Sequence, residues 1–332
     1  MQTQNLTPKI ITLMYHRIDD ADADPWGICV SPENFEKQIE SLKENFNVIS
    51  VAEMVTQVCT RNITGNSVCV TFDDGYTDNY LHAKPVLEKY NCPATFFIAT
   101  AFTNQSTGFW WDELEIIFLH IEKLPAYLSL EINHTACEYF LEASQITPHQ
   151  LFLHKQWRWY EPPPTDRCKV FLDIWEKLSP LPYKKIKSVI DNVKQWAAQK
   201  IEITESRLPM NDQQIFALSN NHLFTIALHS DSHSDLSQIK KDCVVEEIQS
   251  CQKSIYMKYG VESSFLSYPF GRYNGDTIDA VEDLHLSACF TTEAIWTEAD
   301  ADFTRLGRFQ VFNRNTETFK NQLDCWFKKP YG

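Results

Sequence analysis

Two adjacent carboxylates follow an apolar run in the segment VTFDDGYTDNY, residues 70–80. The apolar residues ahead of Asp73 and Asp74 predict a strand that ends at this pair, and Gly75 follows at once. Neighbouring side chains on a strand point to opposite faces, but a turn at the glycine can bring both carboxylates into one cavity. One acid could then bind a metal while the other accepts a proton. The alternative interpretation is an Asp-Asp-Gly turn that caps a helix beginning near Thr77.

A second segment whose residues could do chemistry is LHSDSHSDL, residues 228–236. In it, His229 and His233 follow another predicted strand at a spacing of i, i+4. Two imidazoles one helical turn apart can share a cation if this segment turns helically, and an acid from the first segment would complete an Asp, His, His set. Zinc is the leading candidate, with Co²⁺ or another divalent ion as the alternatives. Isolated histidines are usually ordinary surface or core groups, but a pair at ligand spacing favours a metal site.

The elements that must position these residues are β-α units. Apolar runs of four to eight residues alternate with helical patterns along the chain, which predicts a parallel sheet surrounded by helices. Seven strands and a weaker eighth are predicted, at residues 10–16, 69–74, 94–99, 223–229, 264–270, 287–292 and 305–311, with the eighth at 46–51. Ser31 and Pro32 predict the start of one helix and Gly260 the end of another. Both acids and both histidines then follow strand ends, where barrel enzymes place their chemistry.

The segment from 102 to 210 interrupts this rhythm with helical patterns and little strand character. We therefore predict three segments: residues 1–101 as the first part of a barrel, 102–210 as a helical insertion and 211–332 as the rest of the barrel. Six of the nine tryptophans of the chain lie in the insertion. Ordinary helix packing is the favoured explanation for these side chains, and stacking on sugar rings is the alternative.

Composition narrows the class of partner. The chain has 332 residues, with 44 acidic against 30 basic residues and a formal charge of −14. This charge argues against nucleic acid and against an anionic membrane surface, and favours a neutral or cationic substrate. Apolar runs are too short for a transmembrane helix, and no pattern in the sequence fixes an oligomeric state.

Cysteine usage and the first residues predict a cytoplasmic protein. The ten cysteines are scattered without a CxxC pair, which favours reduced, mostly structural thiols. Residues 1–20 lack the basic start and apolar stretch of a secretory signal, although a chain whose signal has been removed would look the same.

The motifs together carry a family resemblance. The chain resembles the polysaccharide deacetylases of the NodB homology type, carbohydrate esterase family 4. TFDDGY is similar to the first motif of that family, HSDSH to its second motif, H-[ST]-x-x-H, and SYPFG at residues 267–271 to its third. The resemblance covers roughly residues 10–99 and 223–312 and leaves the insertion unmatched.

The resemblance implies a fold and a set of roles. The fold would be a distorted (β/α)7 TIM-like barrel with a helical insertion. Asp73 would be the general base, and a divalent metal would be held by Asp74, His229 and His233. The third motif would supply substrate contacts from Tyr268, Pro269 and Phe270.

The chain departs from the family pattern at two places. The third motif usually carries an arginine where this chain has Ser267, and the late motif that carries a leucine and a catalytic histidine reads RLGRF, residues 305–309. LMYHRI, residues 13–18, is similar instead to a permuted branch, the poly-N-acetylglucosamine deacetylases, whose acid histidine comes from the first strand. The resemblance therefore implies His16 as general acid and Arg308 as partner of the base. Alternatively, His16 is a core histidine and the acid is His120 or His154.

The predicted function is that of a metal-dependent hydrolase that removes N-acetyl groups from an amino-sugar glycan or glycoconjugate. Amide carbonyls are poor electrophiles, so the reaction requires Lewis acidity, a base for water and an acid for the leaving amine. Two alternatives remain because a fold does not fix a function. They are a catalytically silent glycan-binding module and a hydrolase of another amide or imide.

Overall fold

The computed structural model describes residues 8–142 and 144–329, and these form two compact units. The barrel unit contains the described residues up to 20, residues 28–103 and those from 210 onward. The inserted unit contains residues 21–27 and 104–209. These boundaries lie close to the predicted ones at 101 and 210, but residues 21–27 were not expected in the insertion.

The strands are short, and most of them belong to the barrel unit. In chain order they are β1 (Ile10–Tyr15), β2 (Arg17–Ile18), β3 (Cys29–Val30), β4 (Asn47–Val48), β5 (Ser67–Phe72), β6 (Ala94–Ile98), β7 (Tyr127–Ile132), β8 (Thr135–Phe140), β9 (Phe224–Leu228), β10 (Phe265–Ser267), β11 (Ala288–Phe290) and β12 (Phe309–Gln310).

One helix begins and another ends at the residues predicted for them. Ser31 caps α1 and Pro32 opens it, while Gly260 ends α9 in the left-handed region. In chain order the helices are α1 (Pro32–Asn45), α2 (Val51–Cys59), α3 (Lys84–Lys89), α4 (Trp110–Glu115), α5 (Pro148–Gln156), α6 (Asp166–Leu178), α7 (Tyr183–Ala197), α8 (Asp212–Ser219), α9 (Lys241–Tyr259), α10 (Gly275–Asp283) and α11 (Thr316–Lys328). None of the helices in the described part of the chain is long and apolar enough to cross a membrane.

All eight predicted barrel strands are present in one sheet. Its order is β11-β10-β9-β6-β5-β1-β12, with β4 paired to β5, and the pairings between neighbours are parallel. The two edges meet through the segment before β12, because Leu306 bridges Phe290 and donates its N–H to the carbonyl of Cys289 at 2.8 Å. The sheet thus curls toward closure, which confirms the distorted seven-stranded barrel. β1 and β5 are buried along their whole length, as expected for strands covered on both faces.

The inserted unit is not purely helical, so the predicted lack of strands was wrong. Residues 127–140 form an antiparallel hairpin from β7 and β8, packed within this unit against α7. Its alternation is visible in β7, where the buried residues are Leu128, Leu130 and Ile132. The helical patterns on both sides masked this short alternating run.

All ten cysteines are free thiols, and seven of them are buried. This agrees with the prediction of mostly structural cysteines.

Candidate metal centre and active site

The DDG turn at the end of β5 is built on left-handed backbone. Asp74 and Gly75 have φ values of 71° and 88°, a region that ordinary side chains rarely adopt. A Cβ on Gly75 would lie 2.9 Å from Cδ1 of Ile98, and the positive φ would strain any residue with a side chain at this position. The turn buries both carboxylates, with Asp73 2% and Asp74 5% exposed. As predicted, both acids enter the interior instead of pointing to opposite faces.

Asp74 lies between the two histidines of the second motif. Its Oδ1 is 3.2 Å from Nε2 of His229 and 3.2 Å from Nε2 of His233. One donor atom from each residue lies within 4.8 Å of the others. A carboxylate with two imidazoles, all presented by strand ends of one barrel, fits a divalent cation that keeps open positions for water and substrate.

A hydrogen bond at the ring nitrogen that faces away from Asp74 fixes the orientation of His229. Its Nδ1 lies 2.8 Å from the carbonyl oxygen of Ser267. Because a carbonyl can only accept, Nδ1 carries the proton and Nε2 faces Asp74. This arrangement is the usual outer contact of a metal-ligating histidine, which sets its tautomer and ring direction.

The two imidazoles respond differently to the same carboxylate. Burial acts to lower the pKa of His229, but Asp73 and Asp74 together outweigh it and raise that pKa. Burial lowers the pKa of His233, and the neighbouring His229 adds to the decrease despite the contact with Asp74. Burial opposes ionisation of Asp74 as well, yet the two histidines hold the pKa of this acid well below its ordinary value. In the absence of a cation the site thus favours one charged imidazole, because two would repel each other.

The histidines do not converge through a helical turn, and that expectation was wrong. Residues 229–235 form an irregular loop. Ser230 and His233 have φ values of 55° and 53°, and this left-handed backbone brings the second imidazole round to Asp74. The rings lie 4.8 Å apart at an interplanar angle of 70°.

Asp73 faces a different partner. Its two oxygens each receive a hydrogen bond of 2.7 Å from Arg308, through Nη1 to Oδ1 and Nη2 to Oδ2. Ser267 Oγ donates to Oδ2 at 3.0 Å and accepts from Arg308 Nη2 at 2.7 Å. Arg308 and Ser267 are both fully buried. The hydroxyl of Ser267 thus bonds to both members of the Arg308–Asp73 pair.

The pairing keeps Asp73 ionised. Burial is the largest influence and acts to raise the pKa of Asp73, but Arg308, His229 and His16 together outweigh it, and the pKa falls to about 2. His16 contributes the smallest share of this decrease. Oδ2 accepts two hydrogen bonds and Oδ1 accepts one, so Oδ1 retains a lone pair that can take a proton.

Replacing Arg308 by alanine should lower the free energy of unfolding at neutral pH by about 3–5 kcal/mol, because it leaves a buried carboxylate without its counter-charge. The pKa of Asp73 in the folded protein is depressed. The pair therefore contributes stability that is present above about pH 4, the ordinary range of Asp, and is lost as the pH falls toward about 2. Urea denaturation at a series of pH values should show this acid loss in the wild type and not in Arg308→Ala.

The matched control is Arg305→Ala, which removes an exposed arginine of the same segment, paired with Asp302 at 2.8 Å. This variant should change the free energy of unfolding by less than about 1 kcal/mol. Equal losses in the two variants would show that the buried pair has no special contribution.

His16 follows β1 directly, and the backbone N–H of Asp73 donates to the carbonyl of the preceding Tyr15 at 3.0 Å. His16 therefore lies beside the DDG turn, and its charge acts on both Asp73 and Asp74. Its Nδ1 is buried without a hydrogen-bond partner among residues 8–142 and 144–329.

A buried polar cluster behind His16 was missed by sequence reasoning. Asn79 Nδ2 donates to the carbonyl of His16 at 2.7 Å, and Asp78 Oδ2 pairs with Arg17 Nε at 3.2 Å. Burial raises the pKa of Asp78 to about 6, although Arg17 acts in the opposite direction. The signal lay in the DN pair of YTDNY, which follows the DDG turn directly.

The three residues predicted from the third motif to contact substrate differ in their position at the site. Tyr268 is fully buried and donates its hydroxyl to the carbonyl of Thr304 at 2.7 Å, and Pro269 is also buried. Phe270 is partly exposed, adopts a left-handed φ of 59° and packs edge-on against His233, with 4.7 Å between ring centroids. Of the three predicted substrate contacts, Phe270 is the side chain placed beside the metal-ligand candidates, while Tyr268 and Pro269 support the turn.

The two reserve candidates for the acid are engaged within the inserted unit. His154 is buried, with Nδ1 3.0 Å from the carbonyl of Leu119 and Nε2 2.8 Å from Oγ1 of Thr165. His120 Nε2 lies 3.3 Å from Oε1 of Glu115. Both nitrogens of His154 are thereby used in holding this unit together.

Comparison with known families agrees with this geometry. A family model described as polysaccharide deacetylase matches residues 60–119 and 181–289, just over half of the chain. The chain belongs to the polysaccharide deacetylase family. The matched segments contain the DDG turn, both histidines and the third motif, whereas His16 and Arg308 lie outside them.

Individual relatives are distant. A curated protein of Bacillus subtilis (strain 168), "Putative polysaccharide deacetylase YxkH", is 36% identical over 92 residues, which are 27% of this chain and 32% of that protein. The match thus spans about a third of the length of this relative.

Two solved structures share the fold over nearly the whole chain. The Streptococcus pyogenes deacetylase PplD in complex with acetate is 18% identical, with a TM-score of 0.55 and coverage of 95% of this chain and 98% of its own. IcaB from Ammonifex degensii is 17% identical, with a TM-score of 0.55 and coverage of 97% of each chain. At these identities the likeness concerns the fold.

Proposed function

We propose that this family member is a metal-dependent deacetylase that removes N-acetyl groups from an amino-sugar glycan or glycoconjugate. The observation that carries the proposal is the division between two neighbouring carboxylates. Asp74 faces two imidazoles at 3.2 Å, and Asp73 is held by Arg308 at 2.7 Å. A ligand set beside a separate ionised acid is what amide hydrolysis requires.

Asp74, His229 and His233 would hold the cation, with Zn²⁺ as the first choice for a set of one oxygen and two nitrogen donors. When bound, the cation supplies Lewis acidity, which polarises a carbonyl and makes water a better nucleophile. Ser267 and the DDG turn keep two of these side chains in place before any ligand arrives.

Asp73 would accept the proton of the attacking water at Oδ1. The grip of Arg308 prevents this carboxylate from rotating toward the histidines and keeps it ionised throughout the neutral range. The low pKa makes it a weak base, so it serves mainly to orient the water and to take its proton in the transition state.

His16 would protonate the leaving nitrogen. It is the histidine that β1 places next to the DDG turn. Its charge acts to lower the pKa of both Asp73 and Asp74. Asn79 donates to the backbone carbonyl of His16 and so fixes the backbone from which the imidazole projects.

A glycan-binding module without catalysis is the competing function. Stacking and hydrogen bonding to a sugar would have no use for a buried carboxylate clamped by an arginine beside a ligand set, because such a pair is costly to desolvate. This argument favours the enzyme.

The decisive experiment incubates the purified, metal-loaded protein with a panel of N-acetylated oligosaccharides and follows the products by mass spectrometry. The expected result is the loss of one acetyl group, 42 Da, per site from at least one member. Retention of every acetyl group, with one of the glycans bound, would support the binding module.

The purified protein should bind about one divalent cation per chain, and a chelator should abolish deacetylation until Zn²⁺ or Co²⁺ is added back. Cation content is measured by elemental analysis. His229→Ala combined with His233→Ala removes two of three ligands, so cation content should fall close to zero. Full occupancy in that double variant would show that the ligands were assigned wrongly.

A further inference from the structure

The loop that carries both histidines is held by a carboxylate from outside the motif. Glu247 lies on the second turn of α9, three residues after Val244 and one before Ile248, both of which are buried in the barrel core. Its Oε2 accepts the backbone N–H of Ser232 at 2.9 Å, and its Oε1 accepts the hydroxyl of Ser232 at 2.6 Å. A helix thereby grips the residue next to His233 with both oxygens of one side chain.

These two hydrogen bonds hold a loop whose backbone is strained. The left-handed φ angles of Ser230 and His233 are unfavourable for residues with a side chain and persist only where surrounding contacts determine them. Since Ser232 directly precedes His233 in the chain, release of Ser232 would let the second imidazole swing away from Asp74. The imidazole of His229 should move less, because the backbone N–H of His229 donates to the carbonyl of Ile98 at 3.1 Å.

Other contacts secure the rest of the loop and keep the test specific. Asp231 accepts the hydroxyl of Thr100 at 2.6 Å, and Asp235 pairs with Arg272 at 2.8 Å. These contacts remain when Glu247 is changed, so the barrel should fold and only the middle of the loop should loosen.

We propose that Glu247 is a positioning residue that holds the loop from His229 to His233 in the conformation that binds the cation. This inference rests on the proposed metal centre. It predicts a specific loss of cation affinity and a looser loop in the metal-free protein. Outer contacts of this kind change metal affinity by about 10–100-fold.

The test uses three variants and two readouts. Glu247→Ala should weaken Co²⁺ binding, followed by visible absorption, and Zn²⁺ binding, followed by competition with a chelator, by at least about 10-fold. Glu247→Gln should stay within about 3-fold of the wild type, because its amide oxygen can accept the N–H of Ser232 while its NH₂ donates to the hydroxyl. Glu246→Ala removes the same charge from the exposed neighbouring position of α9 and should have no effect.

The second readout is hydrogen exchange of residues 229–235 in the metal-free protein. Exchange should accelerate in Glu247→Ala and stay at the wild-type rate in Glu247→Gln and Glu246→Ala. Wild-type affinity and exchange in Glu247→Ala would overturn the proposal, and so would equal losses in Glu247→Gln. If the wild type binds no cation, the metal centre is wrong, and the exchange rates still decide whether Glu247 holds the loop.

Discussion

Asp73→Asn should retain its cation and lose turnover by about 100-fold or more, the usual scale for removal of a general base. The amide matches the carboxylate in size but cannot accept the proton of the attacking water. The cation should stay because Asp73 contacts Arg308 and Ser267, whereas the two histidines face Asp74. Initial rates of acetate release and cation content, measured on the same sample, test both parts of this expectation.

Asp74→Asn is the matched variant at the neighbouring position. It should lose most of its cation, because an amide oxygen without charge replaces the carboxylate between the imidazoles. Folding must be checked in both variants, because Asp73→Asn leaves the buried guanidinium of Arg308 with a neutral partner. Equal cation loss in the two folded variants would mean that both carboxylates serve as one ligand set.

The sequence predicted the barrel because its strands are buried on both faces. Runs such as residues 10–16 and 94–99 are almost continuously apolar, and the corresponding β1 and β6 are wholly buried. The short strand β12 was also predicted, since its segment continues the same alternation of strand and helix. The hairpin of β7 and β8 was missed because its strands are short and lie between helical patterns.

The acids and histidines of the site were easier to predict than the residues that hold them in place. Asp73, Asp74 and the histidines stand in recognisable spacings at strand ends. The way in which His233 reaches Asp74 could not be derived, because the left-handed angles of the loop depend on tertiary contacts such as that of Glu247 with Ser232. Glu247 lies in a helical pattern rich in charged residues, where nothing in its spacing distinguishes it from the exposed Glu246.

Arg308 shows how a departure from a motif can be interpreted. The serine at 267 removes the usual arginine, and the sequence alone offered Arg308 as a substitute. The structure places the guanidinium of Arg308 against Asp73, and the hydroxyl of Ser267 bonds to both groups. A charge that the resemblance places at one strand end can therefore come from another, because the carboxyl ends of parallel strands meet at one rim.

His16→Ala should lower turnover on an N-acetyl glycan by about 100-fold or more, with little change in cation content or in the free energy of unfolding. The amine is a poor leaving group unless it is protonated, and His16 is the histidine that β1 brings beside the DDG turn. The loss should shrink to a few-fold for an activated aryl acetate, whose leaving group needs no proton. Steady-state rates on the two substrates, measured with the same enzyme samples, give the comparison.

The pH profile supplies a second criterion. Activity of the wild type on the amide should fall on the alkaline side, because only a protonated imidazole can donate, and this limb should disappear in His16→Ala. His222→Ala, which removes an exposed histidine ahead of β9, is the control and should keep both the rate and the limb. Equal losses on amide and aryl ester would contradict the acid role and make His16 a structural residue. In that case the proton must come from a donor other than His154, because both ring nitrogens of His154 are engaged inside the inserted unit.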